Sequence, residues 1–263
     1  LAIDFKRIRG VVFDMDGVLW RGDAVIPEAR PFMDFLTARG VPYVLATNNS
    51  TSTVAEFAAK CVRLGLPAGE AQVVSASMIL LDVLRKKHPE GTPIYVIGSA
   101  SMAGLFTAAG YVIDPEEARV VLVGLDIHIT YEKLSIALRR LFADAEFYAT
   151  NADATFPTPE GLAPGAGSLV AALEKASGRS ATVIGKPAPA VFQGAAERLG
   201  CAPHEALMIG DRLDTDIEGA QLAGLPAALV LTGVSTRAQI GVIAPDGVYE
   251  TLTELQEKWE HGA

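Results

Sequence analysis

The sequence has little cysteine, few aromatic residues, a deficit of positive charge and no long uninterrupted apolar run. Its two cysteines, Cys61 and Cys201, lie outside any C-x-x-C pair, which excludes a disulfide framework and leaves reduced thiols as the expectation. Lys and Arg number 22 against 31 Asp and Glu, a net charge of −9. The basic footprint that nucleic acid or an anionic membrane requires is therefore missing, and neither is expected as a partner. The longest uncharged stretch, Gly91 to Ile113, is interrupted by Pro93, Gly98, Gly104 and Gly110 and does not predict a spanning helix. Near the N-terminus, Lys6, Arg7 and Arg9 lead into Val11-Val12-Phe13, which Asp14 cuts short, too brief for a signal peptide. A cytoplasmic location is the expectation. His88, His128, His204 and His261 stand at no metal-ligand spacing and read as surface or loop residues.

Apolar residues make up 50% of the 263, ample for one large core or two small ones. They recur as short β-branched runs, each followed by a polar or glycine turn and then by helical spacing. The runs are Val11-Phe13, Tyr43-Ala46, Ile94-Ile97, Val120-Val123, Thr182-Ile184, Leu207-Ile209 and Ala228-Leu231. Continuous runs, as opposed to alternating ones, mark strands buried on both faces, so the pattern predicts an α/β fold on parallel sheets. Helices are predicted over Ser52–Leu64, with Cys61 on its core face and Gly65 past its end, and over Pro189–Leu199, ended by Gly200. Thr251 and Glu254 form a capping-box pattern ahead of Leu255 and Trp259. Tyr131, with Thr130 before it and Leu134, Ile136 and Leu138 after, reads as helix packing.

Ligands of open α/β sheets bind beyond the carboxyl ends of strands, so the residues just after each run carry the chemistry. Four such segments are polar: Asp14-Met15-Asp16-Gly17, Thr47-Asn48-Asn49-Ser50, Gly185-Lys186-Pro187 and Gly210-Asp211 through Asp216. Each alone has a plain structural reading as a turn, an N-cap or a surface dipeptide. A calcium loop starting at Asp214 fails, because its twelfth position is Leu225 where a bidentate Glu is required.

Taken in this order along the chain, the four segments resemble the motifs of the haloacid dehalogenase superfamily. The resemblance extends to its class with a large α/β cap between the second and third motifs, the NagD-like, 4-nitrophenylphosphatase and phosphoglycolate phosphatase group. Gly210 through Ile217, Thr150-Asn151-Ala152-Asp153, Pro164 through Ser168 and Gly185-Lys186-Pro187 carry the closer likeness. It implies a Rossmann-like parallel core formed by residues 1–78 and 181–263 with a cap over 79–180. It implies a Mg²⁺-dependent phosphatase of small phosphomonoesters, such as 4-nitrophenyl, sugar, nucleoside or glycolate phosphates, and a homodimer formed through the cap.

By the same resemblance Asp14 is the nucleophile and Asp16 the general acid/base. Such a pair splits one difficult hydrolysis into two easier steps by way of an aspartyl-phosphate. Asp14, Asp16 through its backbone carbonyl, and Asp211 are the implied Mg²⁺ ligands, with Asp216 orienting a ligand or the lysine. Thr47, the amides of Asn48 and Asn49 at a helix N-terminus, and Lys186 are the implied phosphate-binding groups. Carboxylates crowded around a phosphate repel one another unless a hard divalent cation intervenes, which also points to Mg²⁺. The implied specificity loop of the cap, Asn151 to Glu160, contains no Lys, Arg or His, so small neutral or aromatic monophosphates are expected over bisphosphates. Alternative readings are a phosphomutase or phosphotransferase with the same chemistry, or a receiver-like phospho-acceptor protein. Receivers, however, are about half this length and do not carry the acceptor Asp at the end of the first strand.

Overall fold

A computed structural model describes residues 3–158 and 160–262. The chain divides into two compact units. The first comprises residues up to Thr47, Val54–Val74 and from Lys186 onward; the second comprises Asn48–Thr53 and Ser75–Gly185.

The first unit is built on a six-stranded sheet. Its strands follow the order Gly247–Tyr249, Ala227–Val230, Ala206–Gly210, Gly10–Phe13, Tyr43–Thr47 and Val73–Ser75. The first five are joined by parallel pairings, with Phe13 opposite both Ile209 and Leu45. Every residue of Gly10–Phe13, Ala206–Gly210 and Ala227–Val230 is buried, as the continuous runs predicted for strands covered on both faces. Helix Ala29–Ala38 buries Ala29, Phe32, Met33 and Leu36, spaced on one face at 3.6 residues per turn. Helix Pro189–Leu199 begins on a proline and stops at Gly200 in the left-handed region, in line with the prediction. A Cβ at Gly10 would come within 3.0 Å of the Leu199 side chain, so a larger residue at the strand's start would crowd the last leucine of this helix.

The second unit has a five-stranded sheet in the order Thr182–Val183, Glu146–Ala149, Val120–Val123, Pro93–Ile97 and Val112–Ile113, with all pairings parallel. An antiparallel hairpin joins Thr155–Thr158 to Gly161–Pro164. The uncharged stretch from Gly91 to Ile113 resolves into strand, helix Ala100–Ala108 and strand, and no helix of the described residues is long and apolar enough to cross a membrane.

Four local expectations change. Helix Ser52–Leu64 starts later and ends a residue earlier, at Val54–Arg63; Cys61 is fully buried on it as expected. The Thr251 capping box is half made: the Glu254 N–H donates to Thr251 Oγ1 at 3.3 Å, but Glu254 Oε2 accepts from the Glu250 N–H at 2.7 Å. Tyr131 is not packed: it opens helix Tyr131–Phe142 from an 87% exposed position, while Ala137 and Leu141 are buried. His88 does lie in a loop, just past helix Ala76–Lys87, but its ring is largely enclosed, with Nε2 lying 3.0 Å from a Glu146 carboxylate oxygen.

Trp259 anchors the last helix, Leu252–Gly262, by stacking on Phe5 at 5.0 Å and meeting Phe32 and Phe35 edge-on. Trp259→Ala is expected to lower unfolding free energy by about 3–5 kcal/mol, measured on the thermal unfolding of the first unit. A loss below about 1 kcal/mol would show that this aromatic cluster is not a stability centre.

Candidate active site

Strand Gly10–Phe13 lies between Ala206–Gly210 and Tyr43–Thr47, and the direction of strand order reverses there. This is the topological switch point of the sheet, where α/β folds open a ligand crevice. The three carboxyl ends that meet there carry Asp14, Asp211 and Thr47. The Asp14 N–H donates to the Ile209 carbonyl at 2.9 Å, continuing the ladder one residue past the strand and fixing the Asp14 backbone.

Lys186 is the hub. It is 4% exposed, and its Nζ donates to Asp14 Oδ1 and, at 2.8 Å, to Asp216 Oδ1. Asp216 is 1% exposed, and its other oxygen accepts the backbone N–H groups of Asp211 and Arg212 at 3.2 and 3.1 Å. Residues Leu213–Ile217 form a π-helical turn that brings the Asp216 carboxylate back onto those two amides. Asp216 thus has both oxygens engaged inside the protein. Burial works against the Lys186 ammonium, yet Asp14 and Asp216 together outweigh it and hold its pKa above the ordinary lysine value.

Asp211 is fixed differently. One oxygen, Oδ2, accepts the Val234 N–H at 2.7 Å, while its carbonyl accepts the Ser235 N–H at 3.0 Å. The other, Oδ1, is buried with no hydrogen-bond partner. The carboxylate is packed against Gly17 and Gly233, and a Cβ at either would collide with it. Gly17 also has φ +86°, so it is glycine for two independent reasons. The Gly17 carbonyl accepts the Thr232 hydroxyl at 2.6 Å, and Arg21 donates to the Thr232 carbonyl, tying the loop after strand Ala227–Val230 to the loop after strand Gly10–Phe13. Sequence reasoning missed Thr232, Gly233, Val234 and Ser235. The one available signal was the polar segment following the apolar run Ala228-Leu231, in the same strand-end position as the other four.

Asp16 remains exposed, and its backbone pairs with Trp20 in an isolated bridge. Surrounding protein raises its pKa, and the Lys60 ammonium opposes that shift. The Trp20 indole N–H favours the Asp16 carboxylate in the same sense as Lys60. Lys60 is itself held 4.5 Å over the Trp20 ring.

Thr47 is buried at the end of its strand. Asn48 and Asn49 do not lie at a helix N-terminus, since the following helix begins at Val54. They open a six-residue strap, Asn48–Thr53, that belongs to the second unit. Asn49 Oδ1 accepts from the Thr51 N–H and hydroxyl at 2.8 and 2.7 Å, and Asn48 Nδ2 donates to Asp153 at 3.4 Å. Asp14, Lys186, Asp211 and Asp216 are thus brought together around one ammonium, whereas the Asn48 and Asn49 side chains serve the second unit's own structure. The motif glycines of that unit are explained by packing: a Cβ at Gly165 or Gly167 would collide with the carbonyl of Asp153 or Ala152.

Oxygens of Asp14, Asp211 and Asp216 lie within 4.8 Å of one another. At that separation and an effective dielectric near 20, two carboxylates repel by about 3 kcal/mol. Three carboxylates against one ammonium leave a negative excess, and Asp211 Oδ1 has a free lone-pair direction. This hard oxygen donor set suits a small divalent cation of the Mg²⁺ class. Without such a cation, burial first and Asp216 second push Asp211 up to about 6, against the Val234 amide and Lys186. Burial likewise raises Asp14, with Lys186 opposing and Asp216 and Asp211 reinforcing.

Acids and a lysine gathered at the switch point of a parallel sheet define an α/β enzyme site. A family model for haloacid dehalogenase-like hydrolases matches residues 11–112, and a second, HAD-hydrolase-like, matches residues 183–255. The chain is 36% identical to the 5′-nucleotidase YutF of Bacillus subtilis over 251 residues, spanning 95% of this chain and 98% of that protein. Its structure is similar to a 4-nitrophenylphosphatase from Thermotoga maritima (TM-score 0.91, 32% identity, 96% of this chain and 98% of that one). It is also similar to a glycerol phosphate phosphatase from Mycobacterium tuberculosis in complex with magnesium (TM-score 0.86, 32% identity, 97% and 78%). The chain belongs to the haloacid dehalogenase superfamily of hydrolases, in the capped class IIA group of NagD and the 4-nitrophenylphosphatases.

The raised carboxyls set a sign for pH dependence. Between about pH 4, where an unfolded Asp releases its proton, and about 6, where folded Asp211 does, the folded state holds more protons. Cation-free stability therefore falls as pH rises through that window, and Asp14 extends the fall to higher pH. In EDTA the melting temperature is expected to drop from pH 5 to pH 8, and added Mg²⁺ to raise it more at pH 8 than at pH 5. A Mg²⁺ effect equal at both values would contradict cation binding at these carboxylates.

Proposed function

We propose that the chain is a Mg²⁺-dependent hydrolase of small phosphomonoesters that works through an aspartyl-phosphate on Asp14. The observation that carries this reading is the Asp14–Lys186–Asp216 network beside the buried, unpartnered Asp211 Oδ1. Asp14 attacks phosphorus while the ester P–O bond breaks, and the leaving oxygen takes a proton from Asp16. Asp16 then removes a proton from a water that attacks the phosphoryl group, which releases orthophosphate and restores the Asp14 carboxylate. Burial shifts Asp16 in the direction that favours its protonated form, the form a general acid needs.

Lys186 offsets charge on Asp14 and on the transferring group, and Asp216 holds the ammonium where both can use it. Thr47 would donate its hydroxyl, and Asn48 and Asn49 their amides, to phosphoryl oxygens. Asp14, Asp211 and the Asp16 carbonyl would hold Mg²⁺, which when bound supplies positive charge that screens the carboxylates from the phosphate dianion. Asp216, with both oxygens already accepting hydrogen bonds inside the protein, would orient Lys186.

The second unit would act as the cap that selects substrates. The first strand of its hairpin, Thr155–Thr158, lies in the loop from Asn151 to Glu160, in which Pro159 is outside the described residues, and the second strand, Gly161–Pro164, follows that loop. With no cation in that loop, small monophosphates with neutral or aromatic leaving groups are the proposed substrate class. The relatives' names, a 5′-nucleotidase and phosphatases of 4-nitrophenyl and glycerol phosphates, support a small-phosphomonoester range.

Asp14→Asn is expected to abolish turnover of 4-nitrophenyl phosphate in Mg²⁺; activity near the unmutated level would sink the nucleophile assignment. Asp16→Asn should lose on the order of 10²–10⁴ in kcat while orthophosphate still inhibits, and a matching loss of inhibition would recast Asp16 as structural. EDTA should stop turnover and excess Mg²⁺ should restore it. In a panel of phosphorylated metabolites, a second phosphate that raised kcat/KM would count against the substrate class.

A further inference from the structure

The chain passes between the two units at four places, and two of these peptide bonds, Thr47–Asn48 and Gly185–Lys186, adjoin a residue of the site. On the second unit's side, both junctions are held by one small cluster. The Asn151 carboxamide, 5% exposed, donates from Nδ2 to the Asn48 carbonyl at 3.0 Å and accepts the Asp153 N–H on Oδ1 at 3.1 Å. The Gly185 N–H donates to the Thr150 carbonyl at 2.8 Å. A Cβ at Gly185 would overlap that carbonyl and approach Asn48 Oδ1 to 2.5 Å, so Gly185 and Asn48 are in direct contact.

The rest of the strap is held as firmly. Ser99 Oγ donates to the Ser50 carbonyl at 2.8 Å, and the Leu125 N–H points at Ser50 Oγ from 3.4 Å. Gly98 and Gly124 follow neighbouring strands Pro93–Ile97 and Val120–Val123, where the second sheet's own order reverses. Gly124 leaves room for Ser50 Oγ, which a Cβ would meet at 2.9 Å. The strap therefore fills the crevice that a parallel sheet ordinarily leaves for a ligand.

We propose that Asn151 is a positioning residue: through its bond to the Asn48 carbonyl it sets the two junction peptides that present Thr47 and Lys186. It acts by fixing where one hydroxyl and one ammonium stand. Misplacing such groups by about 1 Å costs on the order of 10²-fold in rate. The inference rests on the phosphatase reading above, and its test separates the two. Wild-type turnover and its loss in Asp14→Asn judge that reading alone.

The discriminating variant is Asn151→Asp. It keeps size and the acceptor for the Asp153 N–H, but sets a carboxylate oxygen against the Asn48 carbonyl in place of a donor. A merely structural role in the 151–153 turn predicts near-normal kcat for this variant. Positioning predicts that kcat for 4-nitrophenyl phosphate falls on the order of 10- to 100-fold and that orthophosphate inhibition weakens, as far as in Asn151→Ala. Circular dichroism and melting temperature, read in parallel, exclude unfolding as the cause. Should Asn151→Asp fail to fold, Gly185→Ala displaces the same contact from the other side and is expected to reproduce the loss. A kcat within twofold of wild type in either folded variant would overturn the proposal.

Discussion

A single buried ammonium, that of Lys186, is the constraint from which the site is built. An unpaired lysine at that depth would lose its charge, and its ammonium is kept because Asp14 and Asp216 both accept from it. Asp216 can do so only because the Asp211 and Arg212 amides occupy its other oxygen. Those amides directly follow a fully buried strand, and the π-helical turn after them folds Asp216 back onto them. The order of dependence runs from sheet to amides, to Asp216, to Lys186, and last to Asp14. Such a network is poor evidence for stability, since desolvating ions offsets much of their attraction. It is better evidence for function, because it holds charge on Asp14 where burial alone would neutralise it.

The net charge of −9 acquires a local meaning in this setting. Acidity over the surface disfavours polyanionic partners by long-range repulsion, which salt screens within roughly 8–10 Å. The switch-point cluster follows other rules: its charges are few, close and poorly screened. An anionic substrate and an acidic protein are compatible when the reacting phosphoryl group meets an ammonium, backbone N–H groups and a cation at short range.

The framework of the fold was legible because its cause is local. Runs such as Val120–Val123 are buried on both faces of a sheet, and burial of that kind leaves a continuous apolar signature. Helix ends at Gly65 and Gly200 were legible for a similar reason, since each needs a residue tolerant of the left-handed region. The four strand-end segments could be picked out by position and chemistry, and Asp14, Lys186, Asp211 and Asp216 do converge. What could not be read depends on contacts distant in sequence. The Val234 amide that holds Asp211 is an ordinary valine in a linear reading. The Asn48 and Asn49 environment was misjudged because the strap is fixed by Ser99, Leu125 and Asn151, none of which is near it along the chain. The reciprocal half of the Thr251 box went to Glu250, a choice of one residue that propensity does not resolve.

The assignment of Asn48–Thr53 to the second unit bears on how members of this group can exchange parts. A domain inserted at two points can be swapped by recombination at those points, each half carrying its own contacts intact. Here an exchange cut at residues 75 and 185 would deliver a new second unit to a strap shaped for the old one. Ser50 would then face a crevice with different glycines, and the Asn48 carbonyl a different donor. Inheritance of this unit is therefore a matter of two segments, Asn48–Thr53 and Ser75–Gly185, that must travel together, and grafts that respect both are the ones that keep the strap's contacts intact.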